Sequence, residues 1–195
     1  MCISDNIHTI RYGMEQIMPR EKDSKTIWLE EGLKILTTKG PAALSIESLT
    51  FATGKTKGSF YHHFSNREQY IDALLEYHEK NSTDEIIEVI SQGADSHTRI
   101  KKLTKLTFQT SGDLELAIRA WALYDPKVRA FQDHLDRRRL EYLKTLHIES
   151  GMAADKAKIL VYRNYSLFIG LQQLKRYHNK NEFRRILRNV FAFSV

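Results

Sequence analysis

The sequence predicts an all-α protein, and three observations support this fold class. Apolar residues recur every three or four positions along most of the 195-residue chain, which is the spacing that builds one face of an α-helix. The chain has only three prolines and none after Pro126, so long stretches contain no helix breaker. No segment shows the alternating pattern of a β-strand. With 42 % apolar residues the chain can build a core, and we expect about nine helices.

Composition narrows the classes of function. The single cysteine, Cys2, excludes an intramolecular disulfide and a zinc site built on several cysteines, which favours a cytoplasmic protein. No apolar run approaches the roughly 18 residues of a membrane span, and residues 1–20 lack the apolar stretch of a signal peptide. The eight histidines are scattered, so no metal or cofactor is expected.

The net charge of +6 is compatible with a nucleic-acid partner but does not locate its site. Residues 156–195 contain nine lysines and arginines and only one acid, Glu182. The positive excess therefore lies largely at the C-terminus. The position of a DNA-binding site has to come from a motif instead.

The first helix is predicted from about Lys22 to Lys39, where Gly40 and Pro41 end it. Ser45 stands where an N-cap belongs and predicts a short second helix, residues 46–52. Gly54 favours a tight turn because glycine adopts a positive φ without strain. Thr56 then caps a third helix, residues 57–63. Two short helices joined by a glycine turn are typical of a helix-turn-helix.

The fourth helix is predicted to begin at a capping box formed by Ser65 and Glu68, and to run to about Ile90. Asp125 followed by Pro126 is a second clear helix start. The remaining helices are expected over about 99–110, from Asp113, from Asp125 to Gly151, over 153–177 and over 181–193.

Residues 45–64 followed by Arg67 and Glu68 resemble the signature of the TetR family. The likeness is carried by the glycine turn, by the run K-G-S-F-Y-H-H-F that starts at Lys57, and by the basic-acidic pair. With the first helix it covers residues 22–70. One departure is Lys55, which stands where the family usually has valine. The resemblance implies a bacterial transcriptional regulator that binds operator DNA.

The resemblance also implies roles for single residues. Thr56, Lys57 and Ser59 would face bases or adjacent phosphates, and Tyr61 and His62 would contact the phosphate backbone. Arg67 would hold a phosphate at the N-terminus of the fourth helix. Gly58 would let the helix backbone approach closely, and Phe60, His63 and Phe64 would pack. The candidate DNA-binding residues are thus Ser45, Thr56, Lys57, Gly58, Ser59, Tyr61, His62 and Arg67.

The domain prediction is an N-terminal arm (1–20), a DNA-binding domain (21–68) and a ligand-binding and dimerisation domain (69–195). Residues 116–143 resemble the effector domain of one TetR branch. This implies a homodimer through residues 153–177 and 181–193, which reads a near-palindrome, and release by a small-molecule effector. The candidate effector residues are Phe108, Trp121, Tyr124, Tyr142, Tyr162, Tyr165 and Phe168; for each, an ordinary place in the core is the alternative.

Other functions stay open at this point. A helical adaptor would bind protein instead of DNA and would tolerate replacement of Lys57 and Tyr61. A helical enzyme is disfavoured, because the chain contains no H-E-x-x-H, no E-x-x-H, no P-loop and no Rossmann glycine pattern. A repressor is the prediction, and an activator is the alternative that sequence does not separate from it.

Overall fold

The protein, seen here in a computed structural model, is described for residues 23–92, 95–107, 112–179, 181–183, 185, 186 and 189. Within these residues there are nine α-helices with defined bounds and no strand, so the predicted all-α fold class is confirmed. The predicted N-terminal arm and the candidate effector residue Phe108 lie outside the described residues. So does most of the last predicted helix, residues 181–193.

The helices are numbered in chain order. They are α1 (Ser24–Lys39), α2 (Ile46–Thr53), α3 (Lys57–His63), α4 (Arg67–Glu79), α5 (Glu85–Ser91), α6 (Ser96–Thr107), α7 (Asp113–Ala122), α8 (Pro126–Glu149) and α9 (Ala154–Leu174). Short 3₁₀ turns follow α1 (Pro41–Ala43) and α9 (Lys175–Tyr177), and a π-helical segment, Lys80–Asp84, joins α4 to α5. No helix in the described part of the chain has the length and apolar character needed to cross a bilayer.

Contacts divide the chain into two compact units. The N-terminal unit contains the described residues up to Glu85 together with Asp113–Gln132, and the C-terminal unit contains Ile86–Gly112 and the residues from Asp133 onward. Helices α1 to α4 and α7 therefore belong to the N-terminal unit, and α8 contributes to both. The functional division between residues 68 and 69 remains a prediction.

The core of the N-terminal unit is built on aromatic side chains from α1, α3 and α4. The ring of Phe60 lies 5.5 Å from that of Trp28 and 5.4 Å from that of Tyr70, measured between centroids. Phe64 packs edge-on against Tyr70 at 5.0 Å. Phe60, Trp28 and Tyr70 are completely buried. This cluster holds α3 against α1 and α4, and edge-to-face packing adds to the stabilisation from burial.

A buried polar network connects α4, α7 and α8 in the same unit. The Glu115 carboxylate accepts hydrogen bonds from Arg119 at 2.9 Å and from Gln132 at 3.2 Å. Nε2 of His78 lies 3.6 Å from the other Glu115 oxygen. Removing one partner from such a network leaves a buried charge or polar group uncompensated, so the network fixes α4 relative to α7.

The start of α4 differs from the prediction. The N-cap is Asn66, whose side chain accepts a hydrogen bond from the Gln69 amide at 2.8 Å. Gln69 in turn accepts hydrogen bonds from the amide and hydroxyl of Ser65, at 2.6 and 2.9 Å. The predicted capping box of Ser65 and Glu68 is therefore wrong by one position. Asparagine is as good an N-cap as serine. Because Gln69 lies three residues after Asn66, the backbone amides of Ser65 and Gln69 both find a side-chain acceptor.

The predicted continuous helix up to about Ile90 is interrupted by the π-helical segment. The side-chain amide of Asn81 donates to the Tyr77 carbonyl at 2.6 Å. A side chain that occupies a backbone acceptor competes with the regular helical hydrogen bonds and favours a local change of pitch. The helix therefore ends at Glu79 and resumes at Glu85.

The C-terminal unit buries Leu135, Leu146, Ala157 and Val161 from α8 and α9. The Tyr165 hydroxyl donates to the Asp136 carboxylate at 2.7 Å, which links the two helices. The predicted helix over 153–177 corresponds to α9 and the 3₁₀ turn after it. Along α9 an apolar stripe remains exposed, formed by Ile159, Tyr162, Leu167 and Leu174.

Candidate nucleic-acid interface

The turn between α2 and α3 depends on glycine. Gly54 adopts φ 66° and ψ 15°, in the left-handed region. The Thr53 hydroxyl accepts a hydrogen bond from the Lys55 amide at 3.3 Å and donates to the Leu49 carbonyl at 2.8 Å. The turn therefore satisfies its own polar groups and sets the angle between the two helices, as the sequence predicted.

Two hydroxyls predicted to contact DNA also cap helices. The Ser45 hydroxyl accepts a hydrogen bond from the Ser48 amide at 3.1 Å, at the start of α2. The Thr56 hydroxyl accepts one from the Ser59 amide at 3.2 Å, at the start of α3. Both predicted caps are confirmed, and their contact with DNA stays a prediction. Each hydroxyl stabilises the helix terminus that would face a phosphate.

Helix α3 separates packing residues from exposed ones. Phe60 faces the core, and Phe64, directly after the helix, is 1 % exposed, so the packing role predicted for both is confirmed. The Tyr61 side chain is 53 % exposed, and Lys57, one turn earlier, lies on the same side. Gly58 and His62, the residues directly after Lys57 and Tyr61, are also exposed, while Ser59 is half-buried. The helix therefore presents a cation, a phenol and an imidazole to solvent.

Gly58 is not required by packing within the protein. A Cβ built on it would lie 3.7 Å from the Thr56 hydroxyl, which is an ordinary van der Waals distance. The backbone of α3 is therefore open to close approach at this point. Close approach of DNA to Gly58 stays a prediction.

An ion pair joins the first turn of α2 to the first residue of α3. Nζ of Lys57 lies 2.6 Å from Oε1 of Glu47, and both side chains are exposed. The hydrogen bond from Lys57 lowers the pKa of Glu47, and the same bond raises the pKa of Lys57. Sequence analysis did not identify Glu47 as a partner of Lys57. Its isolation as the one acid between residues 44 and 67 was the available signal.

Arg67 has a structural contact that the sequence did not predict. Its Nε donates to the carbonyl of Leu44 at 2.8 Å, which ties the start of α4 to the segment before α2. The residue as a whole is exposed. The bond fixes the direction of the guanidinium group at a helix N-terminus, where an anion is favoured.

The candidate effector residues are not brought together in the described part of the chain. Trp121 belongs to the core of the N-terminal unit, whereas Tyr124 in the same unit is 87 % exposed. The other described candidates, Tyr142, Tyr162, Tyr165 and Phe168, lie in the C-terminal unit.

A groove of about 180 Å³ between α8 and α9 is lined by Tyr162 together with Leu140, Glu141, Lys144, Lys158 and Val161. It is smaller than the usual range for ligand pockets, about 300–1,000 Å³. Nor do three potential metal ligands cluster anywhere in the described ranges.

Comparison with known families gives a match over the helix-turn-helix. Residues 29–74 match the family described as "Bacterial regulatory proteins, tetR family". The match covers α2, α3 and most of α1, and it reaches into α4. It therefore includes every residue in the predicted set of DNA contacts.

A curated relative agrees with this assignment. The HTH-type transcriptional repressor KstR2 of Rhodococcus jostii (strain RHA1) is 25 % identical over 126 residues. The alignment covers 64 % of this chain and 58 % of the relative, so it spans less than two thirds of that protein's length.

Solved structures share the fold over most of their length. A transcriptional regulator from Saccharomonospora viridis in complex with choline gives a TM-score of 0.70 at 17 % identity, covering 87 % of this chain and 95 % of the other. Escherichia coli NemR in its reduced form gives 0.70 at 21 % identity, covering 86 % and 96 %. Residues 29–74 thus match the helix-turn-helix segment of the tetR family of bacterial regulatory proteins, on a fold that the chain shares with these solved structures.

Proposed function

We propose that the protein is a repressor that binds a near-palindromic operator as a homodimer and is released by a small-molecule effector. The observation that carries the DNA-binding part is the exposed face of α3. Lys57 and Tyr61 stand on a helix that the buried Phe60 anchors in the core. A rigid, exposed, cationic helix at the end of a helix-turn-helix is the element that such proteins insert into the major groove.

Within this proposal the residues divide by what they contact. Lysine, arginine and tyrosine side chains supply donors to phosphate oxygens, which position the protein without reading sequence. Ser59 is short and half-buried, so its hydroxyl has a restricted direction and suits a base edge. Tyr61 and Arg67 are exposed and suit the phosphate backbone on either side.

The homodimer is supported by the apolar stripe on α9. Ile159 is 70 % exposed, and Tyr162, Leu167 and Leu174 are also accessible along the same helix. Burial of such a stripe against a second copy removes apolar surface from water. A two-fold dimer would present two α3 helices about 34 Å apart, one turn of DNA, which matches a palindromic site.

Release by an effector follows if a small molecule binds better to the form that is unable to bind DNA. One structural neighbour was solved in complex with choline, which supports a place for a small molecule in this fold, and the curated relative is named a repressor. For this chain we propose an effector by analogy with these proteins. We place its binding site at the aromatic candidates of the C-terminal unit. Action on operator DNA implies a cytoplasmic protein.

The proposal is tested by affinity selection from sheared genomic DNA at moderate salt. Wild-type protein should enrich one or a few palindromic sites, and the double variant Lys57→Ala/Tyr61→Ala should not. Lys39→Ala, which removes an exposed lysine at the end of α1, is the control for loss of one positive charge. Circular dichroism should show equal helix content in all three proteins.

Two outcomes separate the alternatives. If wild type enriches no site alone but does so after addition of cell extract, a ligand is needed for DNA binding and the regulator stands. If no site is enriched in either condition, a protein-binding adaptor replaces the proposal. Transcript levels of genes beside the enriched sites in a deletion strain then distinguish a repressor from an activator.

A further inference from the structure

The ion pair between Glu47 and Lys57 has an unusual position within the helix-turn-helix. It spans ten residues of sequence and connects the positioning helix α2 with the helix α3 that carries the proposed DNA contacts. Lys57, the donor of this ion pair, is itself one of the proposed DNA contacts. The pair is therefore placed where the protein would meet DNA, and not on a remote solvated face.

Helix electrostatics favour this arrangement. Glu47 lies in the first turn of α2, where a carboxylate is stabilised by the positive end of the helix dipole. Lys57 is the first residue of α3, where a cation meets the same positive end and is disfavoured. The carboxylate offsets that repulsion and gives the ammonium group a fixed direction. The raised pKa of Lys57 and the lowered pKa of Glu47 have their largest cause in this hydrogen bond.

The local charge pattern makes Glu47 conspicuous. Between residues 44 and 67 the cations are Lys55, Lys57 and Arg67, and Glu47 is the one carboxylate. A surface that only attracts phosphate would gain from any other residue at this position. The acid stabilises the start of α2 but weakens attraction to DNA in general, and this loss of attraction improves discrimination where it falls more on random DNA than on the operator.

We propose that Glu47 is a specificity-determining residue, which acts as an internal counter-ion of Lys57 that random DNA has to displace and the operator does not. The inference rests on the proposed DNA-binding function. On random DNA, Lys57 exchanges one anionic partner for another and gains little, because such binding consists of phosphate contacts. On the operator, base contacts from the rest of α3 hold the protein in a register in which Lys57 reaches the DNA with a second N–H and keeps its hydrogen bond to Glu47, so the pair is not broken there. Glu47 thus weakens random binding more than operator binding.

The test measures affinity for an operator duplex recovered by the selection and for a duplex of scrambled sequence and equal length. Glu47→Gln should bind the scrambled duplex about three- to tenfold more tightly and the operator less than about twofold more tightly, so that the specificity ratio falls. In a Lys57→Gln background the same Glu47→Gln change should alter neither affinity by more than about twofold.

Two controls isolate the ion pair from net charge. Glu141→Gln makes the same change of charge in α8, where Glu141 is paired with Lys144 instead. It should leave both affinities unchanged. Lys55→Gln removes a neighbouring cation but keeps the pair, so Glu47→Gln should retain its full effect in that background.

An equal effect of Glu47→Gln with and without Lys57 would overturn the inference, because the carboxylate would then act only as a negative charge. An unchanged affinity for scrambled DNA would overturn it as well. A failure of the proposed function is separately visible, since wild type would then bind neither duplex. The pair itself is tested in the free protein by NMR titration: Lys57→Gln should raise the pKa of the Glu47 carboxyl, and an unchanged pKa would remove the basis of the inference.

Discussion

Gly32 in α1 is fixed by the close approach of Tyr70. A Cβ on Gly32 would overlap the Tyr70 hydroxyl, which donates to the Trp28 carbonyl at 3.0 Å. Gly32→Ala should therefore lower the free energy of unfolding by about 1–3 kcal/mol, as overpacking in a closed core does. Urea denaturation measures the change. The double variant Gly32→Ala/Tyr70→Phe removes the overlapping atom, so its cost should be less than the sum of the two single changes. Additive costs would show that the overlap is relieved elsewhere.

His147 should make stability depend on pH. It is buried in the last turn of α8, and burial lowers its pKa, with a smaller contribution from His97. Because the pKa is lower in the folded than in the unfolded protein, its stabilising contribution is present above about pH 6.5 and is lost as pH falls. The free energy of unfolding should thus decrease from pH 7 to pH 5. This slope should be smaller in His147→Gln, and equal slopes would contradict the assignment.

The two glycines of the helix-turn-helix should respond to alanine in opposite ways. Gly54→Ala places a side chain at φ 66° and should cost about 1–2 kcal/mol of stability. Gly58→Ala places its methyl at an ordinary van der Waals distance from the Thr56 hydroxyl, in the first turn of α3, and should leave stability unchanged or raise it by up to about 1 kcal/mol. Thermal unfolding measures both. DNA affinity should nevertheless fall in Gly58→Ala, because the added methyl keeps the α3 backbone away from DNA; an unchanged affinity would exclude close approach there.

Along α3 we expect some residues to position the protein on the DNA backbone and others to read the base sequence. Tyr61→Ala should weaken binding to operator and scrambled DNA by similar factors, because a phosphate contact is independent of sequence. Ser59→Ala should instead change the preferred bases while leaving scrambled binding nearly the same. Fluorescence anisotropy against a panel of single-base variants measures the two patterns. Indistinguishable patterns would contradict the division.

At the scale of the whole molecule, the stripe on α9 should control assembly. Ile159→Arg places a charge in the middle of the proposed dimer interface and should shift the protein to monomer at micromolar concentration. Operator affinity should then fall at least about tenfold, because one helix-turn-helix reads only a half-site. Sedimentation velocity and anisotropy measure the two effects. Lys156→Ala, an exposed polar change in the same helix, is the control, and a dimeric Ile159→Arg protein would exclude α9 as the interface.

The sequence by itself determined the helical fold and the helix-turn-helix. The caps at Ser45 and Thr56 and the turn at Gly54 depend on hydrogen bonds between residues no more than four positions apart. The start of α8 is equally local, since the Asp125 carboxylate accepts hydrogen bonds from the amides of Lys127 and Val128. Local geometry is encoded in short stretches of chain, which is why these features could be predicted from residue types and spacing.

Only the tertiary structure decided which groups the interface residues contact. The bond from Arg67 to Leu44 spans 23 residues and the pair of Lys57 with Glu47 spans 10. Periodicity gives each helix a face but not its neighbour, so it did not distinguish the buried Trp121 from the exposed Tyr124. Such contacts depend on how helices pack against each other, which is set by many weak interactions summed over the core and by no single stretch of sequence.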